Sequence, residues 1–286
     1  MCEPILTERG YYLKKGVLIL IFFLLMTVAC GKDTNSKSKD VTIIPAKENQ
    51  KIISDPLPEN NNKNSEVRKF DLEVSKGIDY EIVTEVYNYK RIKIKYPQII
   101  NWDERDKQNK VNEIVKEEAY GGLNNFSQDE LNEYSLDLDY RITWKSNNLI
   151  SIQYSGIGNS DGTAHPNHEF YTTNIDINKG IKVKLGDLIN IDENFVKKFK
   201  EGKLQSTITE QRYILDEYTS QEWVDRLTNS DSKESEISCY LTEDSLGISV
   251  PVSHAVGDHA EFEIKYQDIL NNIKAEQELW KGIPLK

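Results

Sequence analysis

Residues 149–189 read LISIQYSGIGNSDGTAHPNHEFYTTNIDINKGIKVKLGDLI, and this stretch decides the fold class. Apolar and polar residues alternate on both sides of a turn-rich centre, which is typical of half-buried β-strands. The centre, residues 156–171, contains three glycines, an aspartate and two of the four histidines of the chain. A second turn is indicated at residues 178–180, which read NKG. The stretch therefore predicts consecutive antiparallel strands joined by short turns.

Further strands and helices are predicted on both sides of this stretch. Alternation recurs over residues 68–100 and 236–266, and Asn147–Asn148 predicts a tight turn because Asn tolerates positive φ. Asn101 and Glu104 resemble a capping box at the start of a helix. Helices are predicted within residues 101–122, 191–229 and 266–273.

Blocks of strands separated by blocks of helices predict an α+β fold. We expect antiparallel sheets with helices packed on one face, arranged as two adjoining subdomains at residues 67–175 and 176–286. Apolar residues make up 38% of the chain, which is enough for a packed core.

The N-terminus predicts an export signal. Lys14 and Lys15 precede the apolar run VLILIFFLLM at residues 17–26, which is shorter than the ~20 residues that span a bilayer. The sequence TVACG at residues 27–31 resembles a bacterial lipobox, although Thr stands where leucine is usual. We therefore predict a lipoprotein signal peptide at residues 1–29 and a lipid, with palmitate among its acyl chains, on Cys30. The alternative is an ordinary signal peptide that leaves a free cysteine.

The segment after the lipobox predicts a tether. Residues 30–66 are rich in Asn, Ser, Lys and Pro and hold few large apolar residues, so they predict a disordered linker. A lipid on Cys30 would anchor the protein to the cell membrane on the extracellular or cell-wall side. Cys239 would be the only thiol of the remaining domain, and we expect it to be buried and unreactive.

The charge of the chain restricts its partners. Removing residues 1–29 takes away three basic and two acidic residues, leaving 33 basic and 45 acidic side chains and a net charge of −12. This balance argues against binding nucleic acid or an anionic membrane surface through a basic patch. It suits a cationic partner, and it is also typical of a soluble acidic surface.

Residues 156–171 fail most templates for a catalytic or ligand-binding loop. A calcium loop centred on Gly162 would put Ile157 at the first ligand position and His168 at the last, and neither supplies the required oxygen. A nucleophile elbow requires a glycine where Gln153 stands. The glycine spacing also differs from that of dinucleotide-binding loops.

Zinc is the metal to consider, because the four histidines form two pairs. His165 and His168 lie in this loop and His254 and His259 lie far along the chain, so two converging pairs would supply four imidazoles. Pro166 and the surrounding glycines exclude the helical H-E-x-x-H arrangement of zinc proteases. We therefore assign no metal and no cofactor, and keep these four residues as candidates.

Residues 149–189 resemble bacterial extracytoplasmic domains of unknown function. Such domains accompany the peptidoglycan deacetylase PdaC and form the outer, lysozyme-sensing part of the anti-sigma factor RsiV. The resemblance covers roughly residues 70–275. It rests on Ala164-His165-Pro166, Asn174, Asp176, Gly180, Leu185, Asp187, Leu188, Ala255 and Gly257.

The resemblance implies a binding module rather than an enzyme. Too few residues follow the second domain for a deacetylase catalytic domain, and too few precede the apolar run for a cytoplasmic anti-sigma domain. We predict a non-enzymatic protein of the cell envelope that captures an extracellular protein, with lysozyme as the most concrete candidate, or cell-wall peptidoglycan. The candidate contact loop comprises Asn159, Asp161, His165, Pro166 and His168.

Two alternatives stay open. A zinc-dependent hydrolase or deacetylase-like enzyme would act on cell-wall polymers through the histidine pairs. A wall-organising protein would stack exposed aromatic side chains on glycan. The candidates for such stacking are Trp102, Trp144, Trp223 and Trp280.

Overall fold

Two β-sheets and five short α-helices form the part of the chain that the computed structural model describes, residues 78–232, 235–275 and 278–285. The predicted signal peptide, Cys30 and the tether lie outside these residues. Within the described ranges, no helix is long and apolar enough to cross a membrane.

The first sheet has six strands in the order in which they occur in the chain. Neighbouring strands are antiparallel except β2 and β3, which run parallel where Ile92–Ile94 lie beside Leu136–Leu138. A parallel pair needs a long crossover, and helices supply it here. The strands are β1 (Glu81–Tyr89), β2 (Ile92–Ile100), β3 (Tyr134–Lys145), β4 (Leu149–Ser160), β5 (Asn167–Asp176) and β6 (Ile181–Lys182).

The crossover contains α1 (Arg105–Ala119), a 3₁₀ helix (Gly121–Asn125) and α2 (Gln128–Glu133). One stripe of α1, formed by Val111, Val115 and Ala119, is buried in the same core as Ile152 and Tyr154 of β4. The stripe has the i, i+4, i+8 spacing of a helix that buries one face.

The predicted capping box at Asn101 and Glu104 is wrong. Asn101 has φ 56°, so it turns the chain before the helix begins, and the N-cap Glu104 forms no side-chain capping bond. A capping box does begin α2, where Ser127 and Glu130 bond reciprocally.

The second sheet has four antiparallel strands in the order β7–β10–β9–β8. Its helices are α3 (Leu185–Leu188), α4 (Glu193–Glu201) and α5 (Ser220–Thr228), so the predicted helical region 191–229 is confirmed, with a 3₁₀ segment at Thr209–Asp216. The strands are β7 (Lys203–Leu204), β8 (Ser238–Leu241), β9 (Ser245–Pro251) and β10 (His259–Lys265).

Large apolar side chains hold the helices against this second sheet. Phe199 of α4 contacts Trp223 of α5 and Phe262 of β10 edge to face, with ring centroids 5.0 and 5.7 Å apart. All three are fully buried. Each such aromatic pair adds about 0.5–1.5 kcal/mol beyond area burial.

The two sheets meet where β4 and β5 of the first sheet contact β8 of the second. Thr172 and Asn174 donate hydrogen bonds to the Cys239 carbonyl oxygen, at 2.5 and 2.8 Å. Ser151 Oγ accepts a bond of 2.9 Å from the Leu241 backbone N–H. We call this part of the β4–β5 face the covered end; it comprises Ser151, Gln153, Thr172 and Asn174.

The predicted fold class is confirmed, since strands and helices form two sheets with associated helices. Cys239 is buried as predicted, and burial raises the pKa of its thiol well above the ordinary value. The boundary between subdomains at residues 175 and 176 stays a prediction. The predicted last helix is a 3₁₀ turn at Tyr266–Asp268.

Candidate functional site

The candidate contact loop is a turn at the tip of the β4–β5 hairpin. Strand β4 extends to Ser160 and β5 begins at Asn167, so the turn occupies only residues 161–166. Gly162 has φ 85°, a conformation that glycine adopts without steric cost. Thr163 Oγ1 donates a 2.8 Å bond to Asn159 Oδ1, which closes the turn on itself.

Asp161 connects this turn to the turn between β1 and β2, where Arg91 lies. Both of its carboxylate oxygens accept hydrogen bonds from Arg91, at 2.8 and 2.9 Å, in a bidentate pair. Both side chains are about half exposed, so the pair orients the turn more than it stabilises the fold.

The glycines before the turn have a packing role. Gly156 and Gly158 lie within β4, and a Cβ atom on Gly156 would lie 2.2 Å from the Asp137 carbonyl oxygen. A Cβ atom on Gly158 would lie 2.1 Å from Tyr134 Oη, the hydroxyl that donates a hydrogen bond to Glu169. These positions require glycine for close approach rather than for flexibility.

The structure brings one histidine of each sequence pair together. The rings of His165 and His254 have centroids 6.0 Å apart, and both residues are exposed. His254 belongs to a 3₁₀ turn between β9 and β10, which lies beside the tip of the first hairpin.

Asp258 joins the two hairpins. Its Oδ1 lies 2.7 Å from His254 Nδ1, and its Oδ2 accepts a 2.8 Å hydrogen bond from the His168 backbone N–H. Both Gly257 and Asp258 have positive φ, at 107° and 69°, and this tight turn places the carboxylate next to β5. Asp258 thus pairs with an N–H at the edge of β5 that the sheet leaves open.

His259 lies in a different environment from the other histidines. Its ring stacks on Phe170 with centroids 4.3 Å apart, and Nε2 lies 3.7 Å from Glu261 Oε1. Nδ1 is buried and has no hydrogen-bond partner within the described ranges. His259 therefore packs between the hairpins instead of joining the His165–His254 pair.

The four candidate metal ligands do not form one ligand set. In the part of the chain that the structure describes, no three His, Cys, Asp or Glu side chains are arranged to hold a metal ion. The convergence is partial: two imidazoles approach each other, one packs on Phe170, and His168 contributes a backbone contact.

Two carboxylates beside this junction have opposite pKa shifts. The pKa of Glu169 is raised above its ordinary value, because burial and the charge of Asp258 outweigh the lowering effect of the hydrogen bond from Tyr134. For Asp258, burial also raises the pKa, but hydrogen bonds from the His168 N–H and from His254 outweigh burial and leave the pKa below its ordinary value. These contacts favour the ionised form of Asp258.

An exposed row of side chains crosses four neighbouring strands, β2 to β5, next to the turn. Lys93 pairs with Asp137, Asp137 with Ile157 and Ile157 with His168. All four residues are exposed, and Ile157 keeps 42% of its surface accessible to solvent. We call this row, together with Ser155 and Phe170, the open end. It lies on the same face as the covered end, two to six residues farther along β4.

Sequence reasoning missed Ile157. The alternation of β4 places Ile157 on the polar face of the strand, in phase with Ser151, Gln153 and Ser155, and only the position of the second sheet reveals that this part of the face is uncovered. Pro166 in the turn is exposed, and Asn159 near the end of β4 is half-exposed, as the candidate loop requires.

The tryptophans do not provide a glycan platform. Each of the four is at least 94% buried, so stacking on sugar rings through them would require the core to open. They lie at Trp102, Trp144, Trp223 and Trp280.

Comparison with known proteins shows that part of the chain is similar to a described family. Residues 83–168 match the model of the family described as deacetylase PdaC, so the predicted resemblance is confirmed from β1 to the start of β5. No curated protein matches the chain.

Two solved structures are similar to it. One is a member of the DUF3298 family from Bacteroides fragilis, with 15% identity and a TM-score of 0.44, covering 68% of this chain and 92% of that chain. The other is a DUF3298 family protein from Pseudomonas aeruginosa, with 14% identity and a TM-score of 0.44, covering 70% of this chain and 96% of that chain.

Proposed function

We propose that this chain is a lipid-anchored protein of the cell envelope that binds an extracellular protein at the open end and catalyses no reaction. Lysozyme is the ligand to test first. The observation that carries the proposal is the exposure of Ile157 within a charged row, on a sheet face that the second sheet covers only at the other end of β4 and β5.

The open end has the composition of a small protein-binding surface. Binding energy in interfaces concentrates in a few apolar or aromatic residues surrounded by a polar rim that excludes water. Ile157 and the half-buried Phe170 would form the centre, and Asp137, Lys93 and His168 would form the rim. Because the strands are rigid, these side chains would lose little backbone entropy on binding.

Charge supports a cationic ligand. The chain after residue 29 has a net charge of −12, and lysozyme is strongly cationic, so attraction would accelerate encounter. The match of residues 83–168 to the PdaC family model supports the same class of envelope module. Peptidoglycan is a weaker candidate because the tryptophans are buried.

A calorimetric titration with lysozyme tests the proposal. We expect saturable binding that weakens at least tenfold as ionic strength rises from roughly 20 to 300 mM, since screening shortens the Debye length. Ile157→Glu should weaken binding about tenfold or more, because it places a charge in the desolvated centre.

Ile181→Glu is the matched control. Ile181 is 50% exposed on the same sheet, roughly 27 Å from Ile157 along the strands, and its replacement should leave the affinity unchanged. A flat titration at low ionic strength would reject lysozyme as the ligand. Equal losses in both variants would reject the open end as the contact surface.

The membrane anchor is tested separately. In cells fed an alkyne analogue of palmitate, we expect the chain to be labelled and to sediment with membranes. Cys30→Ala should abolish labelling and release the protein from the membrane fraction. Labelling that survives this substitution would contradict lipidation at Cys30.

A metal-dependent hydrolase or deacetylase-like enzyme acting on cell-wall polymers is the second candidate. It is favoured by the 2.7 Å contact between His254 and Asp258, since catalytic imidazoles are commonly oriented by a carboxylate. Incubating the protein with peptidoglycan and added Zn²⁺ separates the two candidates. The binding proposal predicts no release of acetate or of new reducing ends above that of a His254→Gln variant.

A further inference from the structure

We propose that His165 and His254 form a two-imidazole site for a divalent late transition-metal ion, Zn²⁺ or Cu²⁺, which joins the tips of the two hairpins. The remaining coordination positions would be filled by water. The inference does not depend on lysozyme binding, because neither imidazole is part of the open end.

The separation of the two rings fits shared coordination. An imidazole nitrogen binds zinc at ~2.0–2.1 Å, which puts the ring centroid ~3.2 Å from the ion. Two rings on one ion then have centroids ~5 Å apart at a tetrahedral angle and ~6 Å apart at a wider angle. The observed separation of 6.0 Å fits the wider angle.

Asp258 provides the carboxylate that metal-binding histidines usually have behind them. Its Oδ1 lies 2.7 Å from His254 Nδ1, which leaves Nε2 as the nitrogen for a metal. Such a contact fixes the tautomer and the ring orientation and makes the imidazole a better ligand. The second oxygen of Asp258 is held by the His168 N–H, so the carboxylate itself is oriented.

The backbone on both sides of the site is restricted before any ion binds. His165 precedes Pro166, which confines His165 to extended conformations. His254 belongs to a 3₁₀ turn closed by Gly257, whose N–H bonds the His254 carbonyl oxygen at 3.2 Å. Both residues are exposed, so an ion could enter and keep water ligands.

Ligand chemistry selects the class of ion. Neutral imidazole suits zinc, copper and nickel, whereas calcium and magnesium require several oxygen ligands. An ion bound here would link β4–β5 of one sheet to the β9–β10 turn of the other. Metal binding would therefore stabilise the junction between the sheets as well as the turns themselves.

Metal titration of the full chain, purified in detergent without a histidine tag, tests the site. We expect one Zn²⁺ per chain by calorimetry and a higher melting temperature in its presence. His165→Gln and His254→Gln should each weaken Zn²⁺ binding at least tenfold. Electron paramagnetic resonance with Cu²⁺ should show two equatorial ring nitrogens in the unsubstituted chain and one in either variant.

Two further variants separate ligands from neighbours. His259→Gln is the control and should bind Zn²⁺ with unchanged affinity, since the His259 ring stacks on Phe170. Asp258→Asn should weaken binding about tenfold while both nitrogens persist in the Cu²⁺ spectrum, as expected of a positioning residue. Absence of saturable binding, unchanged affinity in His165→Gln, or an equal loss in His259→Gln would overturn the proposal.

Discussion

The covered end and the open end lie on one face of the first sheet, yet their polarity is opposite to that expected from their exposure. At the covered end the polar side chains of Ser151, Gln153 and Asn174 are buried. At the open end Ile157 is exposed. Buried polar groups and exposed apolar groups are the informative exceptions in a folded protein. The difference separates an end that makes contacts within the chain from the end at which we propose that a ligand binds.

The covered end uses directional bonds to fix how the sheets meet. Gln153 Nε2 donates a 2.9 Å bond to Glu261, and Gln153 Oε1 accepts hydrogen bonds from Arg141. One buried amide therefore links a cation of the first sheet to a carboxylate of the second. Directional hydrogen bonds of this kind specify alignment, which an apolar contact alone would leave free to slide.

The largest effect is expected at the covered end. Gln153→Leu should lower the free energy of unfolding by about 2 kcal/mol, because Arg141 and the half-buried Glu261 lose the buried amide that they share. Urea unfolding followed by circular dichroism measures it. Ser155→Ala, two residues along the same face but exposed, should change stability by no more than about 0.5 kcal/mol.

Equal stabilities for the two variants would break the comparison. They would mean that the hydrogen bonds across the sheets contribute no more than a solvent-exposed contact. A large loss of unfolding free energy in Gln153→Leu would sharpen the comparison if the variant, under conditions in which it is folded, bound lysozyme with unchanged affinity. Stability and binding would then depend on opposite ends.

The open end should behave in the reverse way. Ile157→Glu is expected to change the free energy of unfolding by no more than about 0.5 kcal/mol, since its side chain is already 42% exposed. The expected tenfold loss of lysozyme affinity corresponds to about 1.4 kcal/mol. A strongly destabilised Ile157→Glu variant would show that this residue belongs to the core.

The smallest effect is expected at Glu169, beside the junction of the hairpins. The pKa of Glu169 is raised in the folded chain, so the folded state binds more protons than the unfolded state. The contribution of Glu169 to the free energy of unfolding is therefore full below its unfolded pKa and is lost as pH rises through its folded pKa. Glu169→Gln, which mimics the protonated form, should therefore gain stability relative to the unsubstituted chain between about pH 4.5 and pH 7. Urea midpoints at both pH values measure the difference. A relative loss on raising the pH would contradict the assignment.

Local patterns predict much of the fold. The turns at Asn147–Asn148 and at Gly180 are where the sequence indicates them, and Gly180 has φ 62°. Alternation predicts the strands because their side chains face a core on one side. The α+β class follows from the order of these elements.

What sequence could not predict depends on contacts between distant residues. Gly156 and Gly158 look like a flexible linker until Asp137 and Tyr134 are placed against them. Likewise, His165 and His254 come from different sheets, and no spacing rule brings them together. The exposure of Ile157 is of the same kind, since it follows from where the second sheet ends.

Hydrogen–deuterium exchange of the chain with and without lysozyme tests most directly whether the open end is the contact surface. On binding, we predict slower exchange in the segments around Asp137, Ile157 and His168. We predict no change in β8, which contacts the covered end, or at Ile181. Slower exchange confined to other segments, or no change at saturating lysozyme, would contradict the account.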